Sequence, residues 1–87
     1  MDYTTFSWCQ DASDGATILV SNASGDLVAK LEPTIYGQIR GHVSGRRYQR
    51  HTGIFPTTQD AMRHIEGHVA ACERRQGWSV GFLHKTA

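Results

Sequence analysis

A basic stretch near the middle of the chain has the side chains best suited to binding a charged partner. Residues 40–51 contain four arginines and two histidines around a Ser44-Gly45 turn, with no acidic residue. Arginine pairs with carboxylate or phosphate through a planar fork of donors, and tyrosine gives contact area at low entropic cost. Together with Tyr36 and Gln38, which precede it, this stretch predicts a contact surface. Its residues are Tyr36, Gln38, Arg40, His42, Arg46, Arg47, Tyr48, Gln49, Arg50 and His51.

Three further side chains have the chemistry of zinc ligands. His64, His68 and Cys72 are spaced at i, i+4 and i+8, so a helix would place them near one line. Eight residues of helix span about 12 Å, which is too far for His64 and Cys72 to hold one ion together. We therefore expect no metal and no cofactor, with Cys72 in the core, and leave open whether the histidines ever bind an ion.

The residues that nucleophilic catalysis needs are scattered along the chain. A nucleophile, a base and an orienting group must converge in a pocket, and no segment brings all three together. A single sheet with one helix is also expected to leave little volume for a cleft of several hundred Å³. The sequence therefore predicts a protein that is not an enzyme.

Length and composition set the class of protein. Eighty-seven residues predict a single domain over 1–87, and 39% hydrophobic residues favour a folded chain. The net charge is +1, but residues 1–39 carry −4 and residues 40–87 carry +5, so the molecule is polarised. Two cysteines and no leader segment predict a cytoplasmic protein. Apolar runs far shorter than the roughly 20 residues that a membrane-spanning helix needs predict no membrane contact.

Alternating side chains predict most of the strands. Residues 3–9 are rich in aromatic and β-branched types and predict a first strand. Residues 16–21 and 27–32 flank a polar loop and predict a hairpin. In residues 35–43 small or apolar side chains alternate with polar ones, which predicts a strand with one buried and one exposed face.

The Ser44-Gly45 turn fixes the predicted pairing of the next strand. A two-residue turn places Tyr48 opposite Gly41 on the buried face, where its ring would cover the missing side chain, and brings Ile35 to Ile54 at the far end. The pairs expected on the exposed face are His42 with Arg47, Arg40 with Gln49, and Gln38 with His51.

A helix is predicted at about residues 57–76. Thr57 and Asp60 form a start signal, and Gly77 suits the left-handed position after the end. Its apolar stripe should contain Ala61, Ile65, Val69 and Cys72, whereas Glu66 should point away. Alternation in residues 78–82 predicts a closing strand. The predicted fold is α+β, a mostly antiparallel β-sheet of five to six strands with one helix packed on one face.

Two resemblances suggest what the contact surface binds. Residues 35–66, with Tyr36 and Arg40 on a strand, the Gly45-Arg-Arg turn and the Thr57 helix start, resemble the sheet-plus-helix modules of phage integrases, which bind DNA. In size and strand-helix order the chain resembles small phage and mobile-element anti-defence proteins, including anti-CRISPR proteins. Most of these proteins block a larger effector by occupying a nucleic-acid groove or a subunit contact.

These resemblances imply a non-enzymatic interaction protein. The expected partner is a host protein or nucleoprotein complex that handles nucleic acid, which the protein binds and blocks. The alternative is a module that binds nucleic acid directly through the same basic sheet face. The first and last strands could also pair with another copy, which leaves a homodimer open.

Overall fold

The computed structural model describes residues 2–44 and 48–84, which form six strands and one helix. The sheet has the order β5-β4-β3-β2-β1-β6, and every neighbouring pair is antiparallel except β1 and β6. The predicted α+β fold is confirmed. In chain order the elements are β1 (Asp2–Gln10), β2 (Thr17–Ser21), β3 (Leu27–Pro33), β4 (Ile39–Val43), β5 (His51–Phe55), α1 (Thr58–Arg75) and β6 (Trp78–His84).

The helix begins and ends where its capping residues predict. The Thr57 side chain accepts a hydrogen bond from the Asp60 N–H at 3.1 Å, and Gly77 follows the helix with φ of +85°. Ala61, Ile65 and Val69 are buried against the sheet as expected. Among the described residues, no helix has the length and apolar character to cross a membrane.

The fourth strand begins later than the alternation of residues 35–43 predicts. Gly37 has φ of +77°, a value that glycine adopts without strain, and its N–H donates to the Thr34 carbonyl at 3.2 Å. The Thr34 N–H in turn donates to the Gln38 carbonyl at 2.8 Å. Residues 34–38 therefore form a turn. Alternation alone predicts a strand over part of this segment, because a period-two pattern does not reveal a positive φ.

The predicted pairing of β4 with β5 is wrong. Val43 lies opposite His51, so the connecting loop covers residues 44–50 instead of two residues. Residues 45–47, which include the predicted turn glycine, lie outside the described part of the chain. The register differs from the predicted one by five residues. Because side chains alternate in strands, this odd shift moves each β5 residue to the opposite face of the sheet.

The core lies between α1 and one face of the sheet. Gly41 is buried at its centre, and a Cβ added there would lie 3.1 Å from the Ile65 side chain, 3.2 Å from Phe55 and 3.3 Å from Leu31. These three side chains, and not the predicted Tyr48 ring, fill the space above this glycine. Cys72 packs against the core in a half-buried position. The fully or nearly buried apolar residues are Phe6, Trp8, Leu19, Val28, Ala29, Leu31, Val43, Tyr48, Ala61, Ile65 and Val69.

Replacing Gly41 by valine is expected to destabilise the protein by about 1 to 3 kcal/mol, because the added methyl groups force the helix away from the sheet. Gly67→Ala is the matched control, since a Cβ at Gly67 meets nothing within 4 Å and alanine stabilises an exposed helical position by about 1 kcal/mol. Urea unfolding followed by circular dichroism measures both changes. Equal stability of Gly41→Val and the native chain would contradict the close approach.

Candidate functional site

The structure separates the predicted basic face into several places. Arg40 and His42 lie on the sheet face away from α1, but the residues opposite them on β5 are Ile54 and Thr52. His42 Nδ1 lies 2.9 Å from the Thr52 hydroxyl. The expected pair of Arg40 with Gln49 therefore does not form, and the expected partner of His42, Arg47, lies outside the described residues. Gln49 and Arg50 are exposed in the loop before β5, and Arg46 and Arg47 lie outside the described residues.

Three of the predicted binding residues do come together. Tyr36, Gln38 and Arg40 line a depression of about 530 Å³ on the helix-free side, at the end of the sheet. The side chains of Ile35 and Ile54 line the same depression. We call these five residues the Tyr36 patch. Ile35 is 92% exposed, Tyr36 81% and Ile54 48%, so most of the area of the first two side chains and nearly half of the third faces solvent.

The turn that presents the patch is held by one threonine. The Thr34 hydroxyl accepts hydrogen bonds from the N–H groups of Tyr36 and Gln38, each at 3.2 Å. With the two backbone hydrogen bonds across the turn, these contacts fix the backbone beneath two large exposed side chains. The exposed Ile35 and Tyr36 therefore project from an ordered turn.

The helix-free face carries both signs of charge. Pairing of β3 with β4 places Glu32 opposite Arg40 and Lys30 opposite His42. Lys30 lies 2.7 Å from Asp14 and 3.9 Å from Glu32, and its hydrogen bond lowers the pKa of the Asp14 carboxyl. Residues 40–51 contain no acid, but the face on which Arg40 lies does, because the neighbouring strand β3 supplies Glu32.

Tyr48 lies in the core. Its hydroxyl donates a hydrogen bond to Glu73 Oε1 at 2.7 Å, and its ring meets Phe6 edge to face at 5.9 Å between centroids. Only 7% of Tyr48 and 1% of Glu73 are exposed. Glu73 lies on the buried face of the helix, although the predicted apolar stripe did not include it. Tyr48 is therefore buried, as predicted, but it anchors the segment before β5 to Glu73 and Phe6 instead of lying opposite Gly41.

A second hollow lies on the helix side of the sheet. It has a volume of about 370 Å³, and Tyr48, Glu73, Ser44 and Trp78 are among its lining residues. The two hollows have the several hundred Å³ that a sheet with one helix was not expected to leave. Among the described residues, neither hollow brings a cysteine together with a histidine.

The odd register shift creates a cluster that the sequence did not predict. His51 lies on the helix side of β5, where its ring lies between those of His64 and His68, with centroids 4.9 and 5.1 Å away. His51 Nε2 lies 2.8 Å from His64 Nε2, and His68 Nε2 lies 3.3 Å from the Gln49 carbonyl. His51, and not Cys72, is therefore the third neighbour of the helical histidines.

The environment of His51 favours its neutral form. Partial burial lowers the pKa of His51, and the nearby His64 and His68 lower it further. Within residues 2–44 and 48–84, no group of three or more histidine, cysteine or acidic side chains has the arrangement of a metal site. The cluster is thus a row of three imidazoles, in which His51 and His64 meet through their Nε2 atoms.

Glu66 lies differently from its predicted position. The Trp8 indole N–H donates to Glu66 Oε2 at 2.8 Å, and His84 Nε2 lies 3.4 Å from the same oxygen. Trp8 is 2% exposed, so this bond satisfies the polar atom of a buried ring. The carboxylate therefore ties the helix to β1 and β6 instead of pointing into solvent.

Comparison with known proteins adds no relative. No protein-family model matches the sequence, and neither the curated proteins nor the solved structures contain a match to it.

Replacing Tyr48 by phenylalanine is expected to lower the free energy of unfolding by about 1.5 to 3 kcal/mol, because it removes a hydrogen bond to a buried carboxylate and keeps the ring. Tyr36→Phe is the matched control and should leave stability unchanged, because that ring is exposed. Urea denaturation monitored by circular dichroism compares the two variants. If the two variants lowered the free energy of unfolding by similarly small amounts, the hydrogen bond from Tyr48 to Glu73 would not contribute to stability as expected.

Proposed function

We propose that this protein is a non-enzymatic interaction protein that docks on a partner protein through the Tyr36 patch. The observation that carries the proposal is the exposure of Ile35 and Tyr36, which are 92% and 81% exposed beside Arg40. They are the two most exposed large apolar side chains in the described residues. Exposed apolar area on an ordered turn, next to an arginine, has the composition of a binding hot spot.

The charges around the patch favour a protein over nucleic acid as its occupant. Glu32 lines the same depression and lies opposite Arg40 in the pairing of β3 with β4. A carboxylate at this position repels phosphate and weakens the term that dominates nucleic-acid affinity. A protein surface offers an apolar side chain for the depression, a carboxylate for Arg40 and a donor for Glu32. The proposed occupant is therefore a mixed apolar and polar protein surface.

The class of partner follows from the resemblance to anti-defence proteins of phages and mobile elements. We propose that the partner belongs to a host nucleic-acid-handling complex and that docking blocks it. Direct binding of nucleic acid and pairing with a second copy at the β5 edge are the competing explanations that the experiments must separate.

Alanine at both Tyr36 and Arg40 is expected to reduce partner capture about thirtyfold or more, which corresponds to the 2 kcal/mol of one hot spot. Biotin-tagged protein serves as bait in a lysate of the native host, and quantitative mass spectrometry compares the captured proteins. The matched control replaces Tyr3 and Arg63, which are an exposed tyrosine and an exposed arginine outside the patch. Proteins lost by the first variant and kept by the control are the specific partners.

Three results would overturn the proposal. Equal losses by the two double variants, with native circular dichroism spectra, would remove the Tyr36 patch from the interface. Retardation of random duplex or single-stranded DNA at low salt, lost in the Tyr36 and Arg40 variant, would favour the nucleic-acid alternative. A dimeric mass by light scattering that the same variant makes monomeric would identify a second copy as the occupant.

A further inference from the structure

Four rings form a column between β5 and α1. Phe55 and His64 have centroids 5.0 Å apart, His51 follows at 4.9 Å from His64, and His68 follows at 5.1 Å from His51. His64 and His68 are one helical turn apart, so the His51 ring fits between them. The neighbouring rings of His64 and His68 restrict the His51 ring, and its Nε2 is directed towards His64 Nε2.

The distance between two of these ring nitrogens is close to that of two ligands on one metal ion. Histidine nitrogens bind Zn²⁺ at about 2.0 to 2.1 Å, so neighbouring ligands at angles of 90 to 110° stand about 2.9 to 3.4 Å apart. The Nε2 atoms of His51 and His64 are 2.8 Å apart. Opening the pair by a few tenths of an ångström, and turning the two rings until both Nε2 lone pairs point at one position beside the N–N line, converts the hydrogen-bonded pair into a pair of cis ligands.

We propose that His51 and His64 form a surface site for a late first-row divalent cation, such as Zn²⁺ or Ni²⁺. Their Nε2 atoms supply two neighbouring ligands, and water completes the coordination because His64 is exposed. Both Nε2 atoms can bind the ion when each neutral ring carries its proton on Nδ1, so binding moves the hydrogen-bonded proton from Nε2 to Nδ1 of the same ring through solvent. Imidazole ligands suit these cations and not Mg²⁺, which prefers oxygen.

His68 is a positioning residue in this site. Its Nε2 lies 3.3 Å from the Gln49 carbonyl, and its ring packs on His51. This division agrees with the absence of a three-ligand arrangement among the described residues. A bound ion would link β5 directly to α1.

Titration of the tag-free protein with Zn²⁺ in a calorimeter at neutral pH tests the site. We expect one ion for each chain and no heat from Mg²⁺. His51→Phe and His64→Phe should each weaken Zn²⁺ binding at least about tenfold, because phenylalanine keeps the stacked ring and removes the nitrogen. His68→Phe should keep the affinity within about threefold, since its nitrogen is not a ligand. Circular dichroism verifies that each variant is folded.

His84→Phe is the matched control, because His84 with Glu66 is another place where an imidazole lies near a possible ligand. Nitrogen-15 spectra of the native protein give a test free of substitutions, with zinc expected to shift two of the five histidines. Absence of binding at millimolar Zn²⁺ would leave a hydrogen-bonded imidazole pair only. Loss of binding in the His68 or His84 variant equal to that in the His51 variant would also overturn the assignment.

Discussion

The contact between Ile65 of the helix and Gly41 of β4 sets the architecture. Because Gly41 has no side chain, the Ile65 side chain can lie within 3.1 Å of the position that a Cβ would take, which is closer than ordinary van der Waals contact. The helix is thereby held against one face of the sheet, and its buried stripe covers that face. The opposite face has no helix in the described chain, which leaves the Tyr36 patch open to solvent.

The same packing explains why the Tyr36 patch and the histidine cluster lie on opposite sides of one strand pair. Ile54 faces away from the helix and joins the Tyr36 patch, whereas His51 and Phe55 face the helix and stack with its histidines. Strand β5 thus supplies alternate residues to two surfaces. A shift of its register by one residue would exchange these side chains between faces and dismantle both surfaces.

The sequence predicts elements better than it predicts the pairing of β4 with β5. The helix and the β2–β3 hairpin were predictable, because capping residues and turn residues act locally. The position of Tyr48 was not predictable, since the turn-forming residues Ser44 and Gly45 are compatible both with a two-residue turn and with a connection of seven residues. The hydroxyl of Tyr48 donates a hydrogen bond to Glu73, which is twenty-five residues away in sequence, so local patterns could not predict this contact. That error carried His51 to the wrong face in the prediction.

Local chemistry in the sequence determined the α+β class, the helix from Thr57 onward and the candidate roles of Tyr36 and Arg40. The tertiary structure alone decided which side chains share a surface. It placed Glu32 beside Arg40, Ile54 beside Tyr36 and His51 between two helical histidines. The physical reason is that strand register depends on the sum of long-range packing contacts, and alternation turns any odd error in register into an exchange of faces.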